Sequence, residues 1–220
     1  MSPQSPNQDN SDQLAVDIDA DGRSIDSSFQ VLSVETWSAV NTSPRARIVL
    51  IDGSPEEGFP ISSLETFLPG RPIEIRAGYG GKLDRIFSGV VIAHGIEITN
   101  AGGSTLVVEA ADPAITIVGP PDASRPPVLT IMYGESIIDF RASMDASSAI
   151  ELERARLTRV RGHVSFQGSA MVAPGEIIEL SGVGNRFSGN VFVSGVHHDI
   201  KSGEWVTRAD FGVSPDRPPD

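Results

Sequence analysis

Apolar residues in this chain recur in short alternating blocks rather than at helical spacing, the signature of half-buried strands. In the first half the blocks are Val31 to Val34, Ile48 to Ile51, Ile73 to Ala77, Ile86 to Ile98 and Leu106 to Ala110. Turn-forming strings separate them: Asp52-Gly53-Ser54-Pro55, Pro69-Gly70, Gly78-Tyr79-Gly80-Gly81, and Ala101-Gly102-Gly103 in the position of a hairpin turn. This order predicts an antiparallel meander or small barrel. The second half repeats the style at Val128 to Met132, Ile137 to Phe140, Val160 to Phe166, Ile177 to Leu180, Val191 to Val196 and Trp205 to Phe211. In the last block Trp205, Thr207, Ala209 and Phe211 fall on one face, and Val206, Arg208 and Asp210 on the other. One segment departs from the pattern. Ser148 and Glu151 have capping-box spacing ahead of a Leu/Glu/Arg-rich run, which predicts a short helix near 146–157.

Stretches with little to bury set the expected boundaries. Residues 1–28 are mostly Ser, Asn, Gln and Asp and read as a disordered polar tail. The string GPPDASRPP over 119–127 carries four prolines, which exclude continuous helix or central strand and read as a linker. Residues 215–220 read as a polar C-terminal tail. Two β domains remain, at 29–118 and 128–214, the second holding the helical insertion.

Composition narrows the class further. Among 220 residues, 39% are apolar and 21% charged, a globular balance, while 22 glycines and 16 prolines favour turn-rich β structure. Seventeen Lys and Arg against 29 Asp and Glu give a net charge of −12, which repels the phosphate backbone that dominates nucleic-acid affinity. The absence of cysteine excludes thiol nucleophiles, thiolate metal sites and disulfides. No apolar run approaches the roughly 20 residues of a membrane span. The opening residues MSPQSPNQDNSDQ lack the basic start and apolar centre of a secretory signal, so synthesis in the cytoplasm is expected.

Candidate chemistry is sparse. Asp17-Ile18-Asp19-Ala20-Asp21-Gly22 opens like a calcium loop, but Ser28 stands where the bidentate Glu belongs and Ser24 where an apolar residue belongs. It reads better as a solvated acidic tail. His197 and His198 are neighbours in a strand and must point to opposite faces, so a metal centre with His94 and His163 is not expected. No G-x-S-x-G elbow occurs. The carboxylate pairs Glu56-Glu57, Glu151 with Glu153, and Glu176 with Glu179 lie in polar segments that give their pKa values no reason to separate. Gly78-Tyr79-Gly80-Gly81-Lys82 lacks Walker spacing, and Gly182-Val183-Gly184 lacks the third glycine of a dinucleotide loop. Arg154, Arg156, Arg159 and Arg161 form the basic cluster, which suits a nucleic acid or an acidic protein surface, the latter favoured in so acidic a chain.

As an ordered set, several strings resemble the hub proteins of contractile phage tails and related injection machines, the VgrG-like and phage late-control-protein-D-like family. In the first half these are Ala46 to Gly53, Phe67-Leu68-Pro69-Gly70, Ile73 to Tyr79, Ile86-Phe87-Ser88-Gly89-Val90-Val91 and Leu106 to Asp112. In the second they are Val128 to Ile137, Gly162 to Ala170, Pro174 to Leu180, Gly182 to Gly189, Val193 to His198, and Trp205 through Phe211 to Pro215. The similarity runs from Phe29 to Pro215. Two departures stand out: only Phe140 to Leu157 occupies the place of the family's large insertion, and no spike-like β domain follows Pro215.

The resemblance implies a mainly β chain of two small tail-tube-like β-barrel domains with one short helix. It implies a homotrimer that adapts a hexameric inner tube to a trimeric spike, inside an assembled phage-tail-like particle. Expected partners are the chain itself, the inner tube protein, the spike or tip protein and other baseplate proteins. No catalytic residue, metal or cofactor is expected, and no nucleic acid or membrane span. Arg154, Arg156, Arg159 and Arg161 are then candidates for inter-subunit or tube contacts. Tyr79, Phe87, Phe166 and Trp205 are candidates for barrel packing or interfaces, with packing the favoured role. The alternative is a two-domain β binding module for a carbohydrate or protein.

Overall fold

The structure, a computed structural model, describes residues 5–6, 13–53, 58–99, 103–115, 122, 124–144, 157 and 160–212. The first strands are β1 (Ala15–Ala20), β2 (Arg23–Ser24), β3 (Val31–Ala39), β4 (Arg45–Ile51), β5 (Pro72–Gly78), β6 (Asp84–Ile98) and β7 (Ser104–Ala111). They are followed by β8 (Leu129–Met132), β9 (Ile137–Met144), β10 (Val160–Gln167), β11 (Ile177–Ser181), β12 (Gly189–Lys201) and β13 (Glu204–Phe211). The apolar blocks of the sequence became β3 to β13. The expected helix near 146–157 lies outside the described residues except for Leu157, which is buried.

The strands run in the order β1-β5-β6-β7-β4-β3 and then β12-β13-β10-β9, with β11 on β12 and β8 on β11. Every pairing is antiparallel except β8 with β11. Each group of six wraps its own core. Ile18, Val34, Ile48, Leu50, Ile75, Phe87, Leu106 and Val108 fill the first, and Leu129, Ile131, Val164, Phe166, Leu180, Val193 and Phe211 the second. The mainly β architecture is as expected; among the described residues no ladder joins β1 to β3 or β8 to β9.

Strand β12 couples the two groups. Its first residues, Gly189 to Phe192, pair with β11; after a bulge between Val193 and Gly195 it pairs with β3 from Gly195 to Lys201. A bulge bends a strand and raises its twist, which is how one strand can leave one sheet and enter the next. The consequence is shared packing: Ile200 and Trp205, from the C-terminal half, sit in the first core.

The expected disordered tail over 1–28 is corrected in part. Residues 15–24 form the β1–β2 hairpin, with β1 laddered against β5 from Ala15↔Gly78 to Ala20↔Ile73. The acidic string conceals a period of two. Ile18 and Ala20 point inward, at 2% and 5% exposure, while Asp17, Asp19 and Asp21 point outward. Asp21 and Gly22 take φ of 56° and 79°, as a two-residue hairpin turn requires. Arg76 holds Asp17 at 3.5 Å and Arg71 holds Asp21 at 2.8 Å. The calcium-loop spacing is thus a hairpin with its carboxylates on the solvent side.

Candidate functional site

Strands β4, β3, β12 and β13 cross the join between the two groups as one continuous surface. Alternation sends Val34 and Thr36 of β3, and Val196, His198 and Ile200 of β12, toward the cores. Glu35, Trp37, His197 and Asp199 consequently face outward. Register then aligns Arg45, Trp37, His197 and Arg208 in one row across the four strands. Such rows let side chains stack, and the Trp37 and His197 rings lie 5.1 Å apart with an 8° interplanar angle. Trp37 keeps 39% of its surface exposed.

The next row places Arg47 opposite Glu35, and Glu35 opposite Asp199. Arg47 pairs with Glu97 at 3.4 Å, and His197 Nε2 lies 3.7 Å from Glu35 Oε1. Burial holds His197 below the ordinary imidazole value, outweighing the carboxylates of Glu35 and Asp199, which act in the opposite direction. Among the described residues His197 Nε2 and Arg47 Nε are buried atoms with no hydrogen-bond partner. Beside the aromatic row lies a cleft of about 400 Å³, lined by Trp37, Thr42, Ser43, Arg45, His197 and Asp210. Its floor is small by composition: a Cβ on Gly195 would sit 3.5 Å from Ala39 Cβ and 3.5 Å from Asp210 Oδ2.

Behind this face the side chains are locked. Trp205 donates its indole N–H to His198 Nδ1 at 3.3 Å, and the Thr207 hydroxyl, which accepts from Ser169 N–H at 3.0 Å, donates to the same nitrogen at 2.9 Å. An indole nitrogen can only donate, so His198 carries its proton on Nε2. Burial pushes its pKa down to about 3. Tyr79 stacks on the other side of Trp205 at 5.8 Å, and burial raises its phenol pKa.

The expected site residues fall in separate places. Phe87, Phe166 and Trp205 are core residues, and Tyr79 is half-buried against Trp205. Arg161 lies on β10 opposite Ser143, and Arg154, Arg156 and Arg159 lie outside the described residues. The four histidines do not converge: His94 contacts the Phe67 carbonyl at 3.0 Å, His163 contacts Asp139 at 2.9 Å, and His197 and His198 face opposite ways. Among the described residues no group of three or more His, Asp and Glu is placed to hold a metal. Trp37 and Arg45 carried no local motif. Only the strand pairing, which no periodicity reveals, brings them beside His197.

In fold the chain is similar to tail proteins of phages and to a component of a secretion machine. The tail protein of Neisseria meningitidis MC58 superposes with a TM-score of 0.60 at 9% identity, covering 90% of this chain and 96% of that one. The 43 kDa tail protein of prophage MuSo2 from Shewanella oneidensis gives 0.63 at 9% identity, with 94% and 98% covered. The E. coli c3393 protein, a component of the type VI secretion system with structural similarity to the T4 tail proteins gp27 and gp5, gives 0.56 at 12% identity, with 92% and 79% covered. The expected resemblance to VgrG-like hubs thus holds in the fold. The family described as the Alg8 N-terminal domain matches residues 10–118 and 149–202, and the chain belongs to it. No curated protein matches the sequence.

Proposed function

We propose that this chain is a structural hub of a phage tail or contractile injection machine, a homotrimer that adapts a sixfold inner tube to a threefold spike. The observation that carries the reading is the span of the fold match, nine tenths or more of both chains for two tail proteins. Two linked β units per subunit, taken here as 29–118 and 128–214, supply six units in a trimer and so match the symmetry of a hexameric tube. The role is assembly rather than catalysis, and the partners are tube, spike and other baseplate proteins. The chain is made in the cytoplasm and acts within the particle.

The test is stoichiometry. Sheathed particles purified from the native cells are analysed by quantitative mass spectrometry against the inner-tube protein, and three copies of this chain per particle are expected. Its absence from assembled particles would overturn the reading.

A further inference from the structure

The Arg45–Trp37–His197–Arg208 row has the composition of an interface hot spot. Trp and Arg are the residues most enriched there, and Trp37 is held rigid by its stack on His197, so little side-chain freedom is lost when a partner covers it. Arg45 is exposed and has no ion pair among the described residues, and the cleft beside it is open, so the row suits an anionic partner. Arg208 is already engaged by Asp210 at 3.1 Å, so Arg45 is the cation left to answer a carboxylate.

The same chain carries the complementary surface. On the β1–β2 hairpin, Asp17 and Asp21 are neutralised by Arg76 and Arg71, but Asp19 has no ion pair among the described residues. It stands directly opposite Glu74 in the β1–β5 register, but Glu74 is already engaged by Arg76 and by Arg85 at 3.6 Å. Among the described residues of this strand pair, Asp19 is the carboxylate left for a cation from outside. The hairpin belongs to the first sheet and ends the strand path, whereas the Trp37 row lies where the two sheets join. The two surfaces are therefore unlike patches, and a head-to-tail contact between unlike patches makes a ring when its rotation closes, as the trimeric reading requires.

We propose that the Trp37 row of one copy receives the acidic β1–β2 hairpin of the next, with Arg45 meeting Asp19. The inference rests on the trimeric reading above and assigns its subunit interface. A chain of net charge −12 repels its own copies at long range, so a local match of opposite charge is what fixes orientation and register.

The experiment measures the trimer dissociation constant of the full chain by sedimentation equilibrium. Arg45→Glu and Asp19→Lys each weaken the trimer about tenfold or more, and the double variant recovers most of the loss because the pair is restored in reverse. Trp37→Ala weakens it by about thirtyfold. Both Arg45 and Trp37 are outward-facing, and circular dichroism of each variant confirms that the fold is retained. Trimers unchanged in all three single variants, or a double variant showing simply summed losses, would overturn the interface and leave the trimeric hub standing. A wild-type chain that stays monomeric at every concentration would overturn the trimer itself, and the interface with it.

Discussion

At the scale of single residues, the most consequential groups are polar ones sealed inside. His198 cannot take a proton on Nδ1 without pointing it at the indole N–H of Trp205 and losing the bond from Thr207. Its native pKa is about 3 against the ordinary imidazole value of 6.5, so well above pH 6.5 neither the folded nor the unfolded form holds the extra proton. Below that point the unfolded chain gains a proton that the folded chain refuses, and stability falls by about 1.4 kcal/mol per pH unit until the native imidazole titrates. Urea unfolding of the wild type and His198→Gln should therefore diverge in slope between these two values, with the variant less sensitive to acid. Asp52 presents a different case. It is fully buried, and its carboxylate accepts the N–H groups of Ile61 and Ser62 at 2.7 and 3.0 Å. Asp52→Ala strands both donors and is expected to cost about 3 kcal/mol in chemical denaturation, with Asn in its place recovering part of that. Neither role is written in local sequence. Asp52 lies in a turn string and His198 beside another histidine, and burial by distant strands decides what each one does.

At the scale of elements, β1 is the instructive strand. Leu14, Val16, Ile18 and Ala20 alternate with small or acidic residues, and Asp21-Gly22 is a hairpin turn signal, so the strand was legible in principle. Its acidity and the calcium-like spacing pull the reading toward a solvated tail, because polarity counts against burial unless the two faces are weighed separately. Ile18→Asp sets a charge into the first core and should lower stability by about 3 kcal/mol or more, readable as a drop in the denaturation midpoint. A true tail would leave the midpoint where it is. The blocks that became β3 to β13 were visible because each has an apolar face, but their ends were not. β12 extends from Gly189 to Lys201, well beyond the block Val191 to Val196, since His197 and Asp199 belong to the solvent face and interrupt the apolar run. Which strands pair was equally hidden: β3 joins β12 across more than 150 residues of chain, and nothing local records it.

At the scale of the molecule, two cores would ordinarily suggest two independently unfolding units. Here β3 and β12 are laddered over seven residues and Ile200 with Trp205 packs into the first core, so the first half has no complete interior without the second. Differential scanning calorimetry should give one transition with equal calorimetric and van't Hoff enthalpies; two resolved peaks would show that the coupling is weak. The sharing of strands between the two cores was not legible, because side chains that visit a distant core look no different from those that stay at home. That sharing also bears on the order in which the chain is made. Translation delivers β1 to β7 first, but the residues that complete their interior arrive last, so a nascent chain halted before β12 has neither sheet finished and exposes apolar surface. Such truncated chains carry the exposed apolar surface that chaperones and proteases bind, a hazard that ends only when β13 is complete at Phe211.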